Sequence, residues 1–332
     1  MSGLPLILHK AHKAADKTMK EIKILSFAKI NLSIDVTETM ENGMHGVDMV
    51  MQQLSFHDDV TVRYRKVPGK KRGDIDISVS TNRYYLPVDE RNLAYKAAAL
   101  IQSRYGEKID GGTVEIEIFK RIPVAAGLAG GSGNGAAVLH ALSRLLHLNL
   151  SLETLCSLGA ELGSDVPFCV MGQAAFNFVL PKSLRRHPMA SSCARATGTG
   201  TVLTPLPSIR KPVVIAKPPI AVSTREVYEG IDRCTISARP DNDRLVKGLE
   251  EKNYQLIYDN CINVLENYTL QAYPKVKKLK DSILQDGKAE KVLMSGSGPT
   301  VFALFGTISD AKQACQKLRD AGYEAYWTKT VK

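Results

Sequence analysis

Hydrophobic and polar positions along the chain change period several times, and each change predicts an element. Residues 21–36 (EIKILSFAKINLSIDV) alternate loosely and are rich in β-branched side chains, which predicts one strand or two. Residues 49–67 and 74–80 read the same way, with GKKRGD as the turn between them. In DERNLAYKAAALIQSRYG a helical stripe runs through Leu93, Ala97, Leu100 and Ile101, with Asp89 as the expected cap. Strict alternation over 113–123 predicts a half-buried strand stopped by Pro123. A glycine-rich loop follows, then a helix from about Ala136 to Leu146 and a second over 151–163, opened by Ser151. Pro167, in GSDVPF, is expected to stop any helical continuation. Residues 177–196 are polar, proline-punctuated and without period, and predict an inserted surface loop between two strands. The remainder reads as TVLTPLP, the strand KPVVIAKP, and helices near 223–231, 241–252 and 254–267. A further helix over 273–287, a strand–turn–strand over 289–306 and a last helix capped by Ser309 complete the chain. Strands and helices in this mixed order indicate an α+β fold with largely antiparallel sheets, not a doubly wound one.

Composition narrows the function classes. A chain of 332 residues is long enough for two domains, and 44% hydrophobic with 23% charged residues is ordinary for a globular protein. No apolar run reaches the ~20 residues of a membrane helix, so no membrane partner is expected. Residues 1–19 are expected to form a disordered extension. The six cysteines are widely spaced without a CxxC pair and read as reduced, buried thiols, hence a cytoplasmic protein. The seven histidines lack metal-ligand spacing. The net charge of +10 suits an anionic partner. Its lysine clusters at 66–72 and 275–280 carry no interleaved aromatics, which favours phosphorylated small molecules and argues against nucleic acid.

The chemistry centres on PVAAGLAGGSGNGAAVLHAL (123–142), with five glycines in nine residues between a predicted strand and a predicted helix. Such a turn exposes backbone N–H groups at a helix N-terminus and lets phosphate oxygens approach closely. No Gly-Lys-Ser/Thr closes it, so it is not a P-loop, and it lacks the acidic residue of a dinucleotide site. Two charged residues stand out beside it. Asp165 follows a helix in GSDVP, and Lys29 interrupts the apolar strand SFAKINLSI two residues before Asn31. An ammonium within such a strand is costly unless it meets a carboxylate or phosphate.

Together these stretches resemble the GHMP kinase superfamily, with motifs in the family's order from about residue 20 to 330. FAKINLSIDV, ENGMHGVDMVMQQLSFHDDV, LPVDERNLAYKAA, IPVAAGLAGGSGNGAAVL, GSDVPF and SGSGPTVFALF carry the resemblance. It implies a two-domain fold, an N-terminal domain like ribosomal protein S5 domain 2 over 20–176 and a ferredoxin-like α/β domain over 197–332, flanking the 177–196 insertion. It also implies an ATP- and Mg²⁺-dependent small-molecule kinase, a monomer or homodimer, whose acceptor carries a cytidine diphosphate group. By position, Asp165 would accept the acceptor hydroxyl's proton, and Lys29 would keep that carboxylate ionised and polarise the hydroxyl. Asn31, Gly296 and Gly298 would line the acceptor. His45 would read the cytosine edge, with Tyr228 stacking on the base and Thr224 beside it. Asn92 and Lys96 would contact adenosine. Pro123, Gly127, Leu128, Gly130, Gly131, Ser132, Gly133 and Asn134 would wrap the phosphates, with Ser132 near Mg²⁺. The chain departs from the family where Gly133 and Gly135 replace a hydroxyl residue and an alanine, where Met44 replaces a tyrosine, and in its longer insertion.

Overall fold

A computed structural model describes residues 19–39 and 45–331; Met44 and the 1–18 part of the expected extension lie outside the described residues. Six strands form the first sheet: β1 (Met19–Thr39), β2 (His45–Lys66), β3 (Ile75–Thr81), β4 (Gly112–Phe119), β5 (Cys193–Thr197) and β6 (Val202–Pro205). The order is β3-β4-β2-β5-β6, with β1 on β2. β2 is long enough to serve two neighbours along one edge, pairing β4 through Asp59–Lys66 and β5 through Met49–Gln52. Its other edge runs antiparallel to β1 with register shifts between Phe27 and Lys29 and between Asn31 and Ser33. Among the described strands, only β3 and β4 pair in parallel. The second sheet, β10-β7-β9-β8, is antiparallel throughout and is built from Pro212–Lys217 (β7), Ala289–Met294 (β8), Val301–Phe305 (β9) and Glu324–Lys329 (β10). The α+β reading holds, although β10 carried no signal read from sequence.

Several boundaries differ, each for a local reason. The helix expected from Ala136 spans Gly130–Leu145, because close packing overrides the poor propensity of its glycines. A Cβ at Gly133 would crowd Ser26 Oγ at 2.5 Å, and one at Gly135 would lie 3.2 Å from the Leu93 carbonyl oxygen. Pro167 does not end helical structure; it sits in the first turn of a new helix, Val166–Phe176, where its missing N–H has no intrahelical role. The first helix is Leu93–Tyr105, capped by Asn92 rather than Asp89, and the last is Ile308–Asp320, capped by Thr307 rather than Ser309. Ser151 caps Leu152–Leu162 as expected. The 177–196 segment is not a surface loop. Leu180 and Leu184 are buried in the same core cluster as Leu139 and Leu142, and Cys193–Thr197 enters the first sheet. Its few apolar residues are spaced by a short helical turn, Lys182–Arg185, which hides any period.

The helix Gly130–Leu145 packs on β1, β2 and Leu93–Tyr105, and Val166–Phe176 packs beside it. Residues Val166 to Ala174 are all buried, so this helix has no polar face and its ends are fixed by their surroundings. All six cysteines are free thiols, four of them buried. Burial pushes the Cys156 and Cys261 thiols up to about 12, as expected of inert structural groups. No described helix is long and apolar enough to cross a membrane.

Candidate active site

Strand geometry brings the first pair of polar groups together. Lys29 and Asn31 are two residues apart on β1 and so project from one face of the sheet. Lys29 is only 4% exposed, and its ammonium donates to Asn31 Oδ1 at 2.8 Å and lies 3.5 Å from Asp165 Oδ2. Asp165 is the N-cap residue of Val166–Phe176, but its side chain caps nothing. The carboxylate is therefore free to face Lys29 at the positive end of that helix.

Asn31 holds more than the lysine. Its Oδ1 also accepts the Gly296 N–H at 3.1 Å, and its Nδ2 donates to Met49 Sδ at 3.3 Å. Gly296 belongs to the turn between β8 and β9, so one carboxamide joins the first sheet to the second. A second joint lies beside it. Ser295 Oγ donates to the Gly127 carbonyl at 3.0 Å, and Gly127, at φ +69°, runs so close to the Ser295 carbonyl that any Cβ would collide with it.

The glycine-rich loop enters its helix under strain that glycine does not relieve. Ala125 and Ala129 adopt left-handed φ values of 50° and 54°, and Ala129 is the N-cap. No side chain caps this helix, so the N–H groups of its first turn, Gly130 to Ser132, lack intrahelical partners. Gly130 and Gly131 add no side chain in front of them. That combination suits a phosphate chain.

A cavity of about 520 Å³ connects these parts. It is lined by Lys29, Asn31, His45, Gly127, Ser132, Asp165, Thr224, Tyr228 and Gly296, all singled out from sequence. Ser164, Ser297 and Arg225 line it as well and were not singled out, though each adjoins a residue that was. Within the same lining, the His45 and Tyr228 rings meet at 5.3 Å and 49°. Burial, with the Asp165 carboxylate adding to it, pushes the Tyr228 hydroxyl up to about 12. Thr224 and Ser297 share a hydroxyl hydrogen bond of 3.0 Å.

Other expected contacts lie elsewhere. Pro123 lines a neighbouring hollow with Arg83, Tyr85 and Lys217. Asn92 spends its carboxamide on the helix cap and the Pro87 carbonyl, while Lys96 is exposed one turn on. Leu128 is buried, and its carbonyl accepts the Lys29 N–H. Gly298 lies beyond the cavity lining, against Met294 and Thr269. Gly133 and Asn134 require correction as phosphate-loop residues. Gly133 is buried against Ser26, and the Asn134 side chain points into the protein, donating to Ser26 Oγ at 3.1 Å and Asp58 Oδ2 at 3.0 Å. Asp58, fully buried, also binds Lys120, and its other oxygen accepts the Arg121 and Ile122 N–H groups. This buried network underlies the helix start and was missed in the sequence. Its signal was a carboxylate inside a strand pattern, the counterpart of the charge that marked Lys29. No group of three or more His, Cys, Asp or Glu side chains suited to a metal ion occurs among the described residues.

An ion pair beside an uncapped glycine helix, between two sheets, defines a class. Residues 92–173 match the GHMP kinases N terminal domain and residues 242–324 the GHMP kinases C terminal domain. The chain belongs to the GHMP kinases. Relatives from Alkaliphilus metalliredigens (40% identical, covering 90% of this chain and 93% of theirs) and Lachnospira eligens (38%, 94% and 99%) are 4-diphosphocytidyl-2-C-methyl-D-erythritol kinases. A crystal structure of 4-(cytidine 5'-diphospho)-2C-methyl-D-erythritol kinase superposes with a TM-score of 0.72 at 27% identity, covering 94% of this chain and all of that one. A homoserine kinase from Cytophaga hutchinsonii shares the fold, with a TM-score of 0.63 at 20% identity.

Proposed function

We propose that the protein phosphorylates the 2-hydroxyl of 4-diphosphocytidyl-2-C-methyl-D-erythritol from ATP, in non-mevalonate isoprenoid precursor synthesis. The observation that carries this reading is the Lys29–Asp165 pair, 3.5 Å apart, in a cavity lined both by Ser132 of the uncapped glycine helix and by His45 with Tyr228. Asp165 takes the hydroxyl proton as the phosphoryl group arrives. Lys29, steadied by Asn31, orients that carboxylate and draws electron density from the hydroxyl oxygen. Phosphoryl transfer through a loose transition state needs mainly this positioning and charge balance.

The first-turn N–H groups of Gly130–Leu145 suit the triphosphate, and Lys96, exposed one turn beyond the Asn92 cap, is available to the adenosine end. Ser132 offers a hydroxyl for Mg²⁺, which would otherwise be held by phosphate oxygens and water. When bound, Mg²⁺ neutralises charge on the transferring group. Tyr228 and His45 suit a nucleobase, which acceptors such as mevalonate or homoserine lack.

A coupled assay offering each acceptor separately tests the reading: turnover with the cytidylyl acceptor alone supports it, and turnover with homoserine or mevalonate alone rejects it. Asp165→Asn is expected to bind nucleotide normally yet turn over about 10²–10⁴-fold more slowly, the usual span for general base catalysis. Turnover close to that of the unaltered protein would reject the base assignment.

A further inference from the structure

His45 is held on two sides by one helix, Thr224–Ile231 and its C-cap residue. Tyr228 and Asp232 are four residues apart and so share a face. Tyr228 packs against the imidazole ring, and both Asp232 carboxylate oxygens lie at 2.9 and 3.0 Å from His45 Nε2. His45 is the sole side-chain partner of the Asp232 carboxylate among the described residues. A carboxylate at a helix C-terminus is opposed by the helix dipole, so local helix stability does not account for it.

The consequence is chemical. An ionised carboxylate only accepts hydrogen bonds, so Nε2 must carry the proton, and in the neutral ring Nδ1 is left with a lone pair. Nδ1 has no hydrogen-bond partner among the described residues, and His45 lines the cavity. We propose that Asp232 is a positioning residue that makes His45 a hydrogen-bond acceptor toward the base, selecting the exocyclic amine of cytosine over the carbonyl of uracil. The inference rests on the proposed cytidylyl acceptor and adds the source of its base discrimination. A base presenting a carbonyl there sets two acceptors against each other, and a buried polar group left unpaired is the stronger route to discrimination.

The test has two arms. First, ¹⁵N NMR of the unliganded protein at pH 8, where imidazole is ordinarily neutral, reads the His45 tautomer without any acceptor. A protonated Nε2 is expected, and a protonated Nδ1 overturns the proposal whatever the substrate. Second, kcat/KM is compared for the cytidine acceptor and its uridine counterpart. Asp232→Asn, whose amide can accept from or donate to Nε2, is expected to narrow the cytidine preference about tenfold, the scale of one hydrogen bond. The KM for ATP should stay unchanged and Asp232→Glu should restore the preference. An unaltered ratio in Asp232→Asn overturns the proposal. If Asp232→Asn fails to fold, the tautomer of the unaltered protein still decides. An unaltered protein with Nε2 protonated that ignores the cytidine acceptor overturns the proposed function instead, and with it the base-reading part of this inference.

Discussion

Lys29 and Lys120 are two buried ammonium groups with different neighbours. Lys29 meets a partly exposed carboxylate across a cavity, whereas Lys120 is sealed against Asp58 and Asn134 beneath the glycine helix. Burial holds the Lys120 ammonium below the usual lysine range, with Asp58 opposing that shift. Removing one partner of such a pair leaves a charge without compensation, which typically costs about 3–5 kcal/mol. Asp58→Asn should therefore lower the urea-unfolding free energy by that much, and adding Lys120→Met should recover part of it. A loss below about 1 kcal/mol would place the pair among weak surface bridges instead. Lys29 was legible because a charge inside an apolar strand demands a partner, whereas Lys120 follows the end of the half-buried β4, where a lysine reads as an ordinary solvent-facing residue. Only Lys29 was read, because its strand pattern stood out beside the other motifs of the site. The burial of Asp58 depends on β4 closing over β2, and no local pattern reveals that.

At the scale of elements, strands with strong local signals were read correctly, as was the Ser151 cap. The caps expected at Asp89 and Ser309 fell to Asn92 and Thr307, and other errors fell where tertiary packing overrode propensity. Gly130, Gly133 and Gly135 look like loop residues, yet a Cβ would lie 2.6 Å from Lys120 Nζ at the first, 2.5 Å from Ser26 Oγ at the second and 3.2 Å from the Leu93 carbonyl oxygen at the third. Gly172 behaves likewise in Val166–Phe176, where any Cβ would collide with the buried carboxamide of Gln53. Gly172→Ala should destabilise by about 1–3 kcal/mol through overpacking. Gln53→Ala in the same chain should return much of the loss, measured as the shift in Tm. The glycine helix also contains His140, fully enclosed, with Nε2 on the Val170 carbonyl at 2.9 Å. Burial pushes its imidazole down from 6.5 to about 4, with that hydrogen bond opposing. Between those values the unfolded chain binds the extra proton, so stability is full above about 6.5 and falls as the pH drops toward 4. Denaturant unfolding at pH 7 and pH 5 should show a loss of about 2 kcal/mol that His140→Gln lacks.

Across the whole molecule, the two halves meet through backbone and carboxamide contacts at the centre of the cavity. Gly127 lies against Ser295, and Asn31 spans Lys29 and Gly296. Gly127→Ala strains a left-handed φ and drives a Cβ into the Ser295 carbonyl, so it should displace the loop from the β8–β9 turn. Steady-state assays should then show turnover slowed by about 10²-fold or more, the scale of an ångström of misplacement. The α+β class was visible in the order of elements, but the sharing of β2 between β4 and β5 was not, because one uninterrupted strand pattern conceals a change of neighbour. The Gly127–Ser295 joint also has a kinetic consequence. On the proposed assignment, it would fix the phosphate side and the acceptor side to each other before either ligand arrives, so that neither ligand has to form the subsite for the other. Addition should be random in order: initial-rate plots should intersect, and a dead-end analogue of either substrate should compete with its own counterpart while acting as a mixed inhibitor of the other.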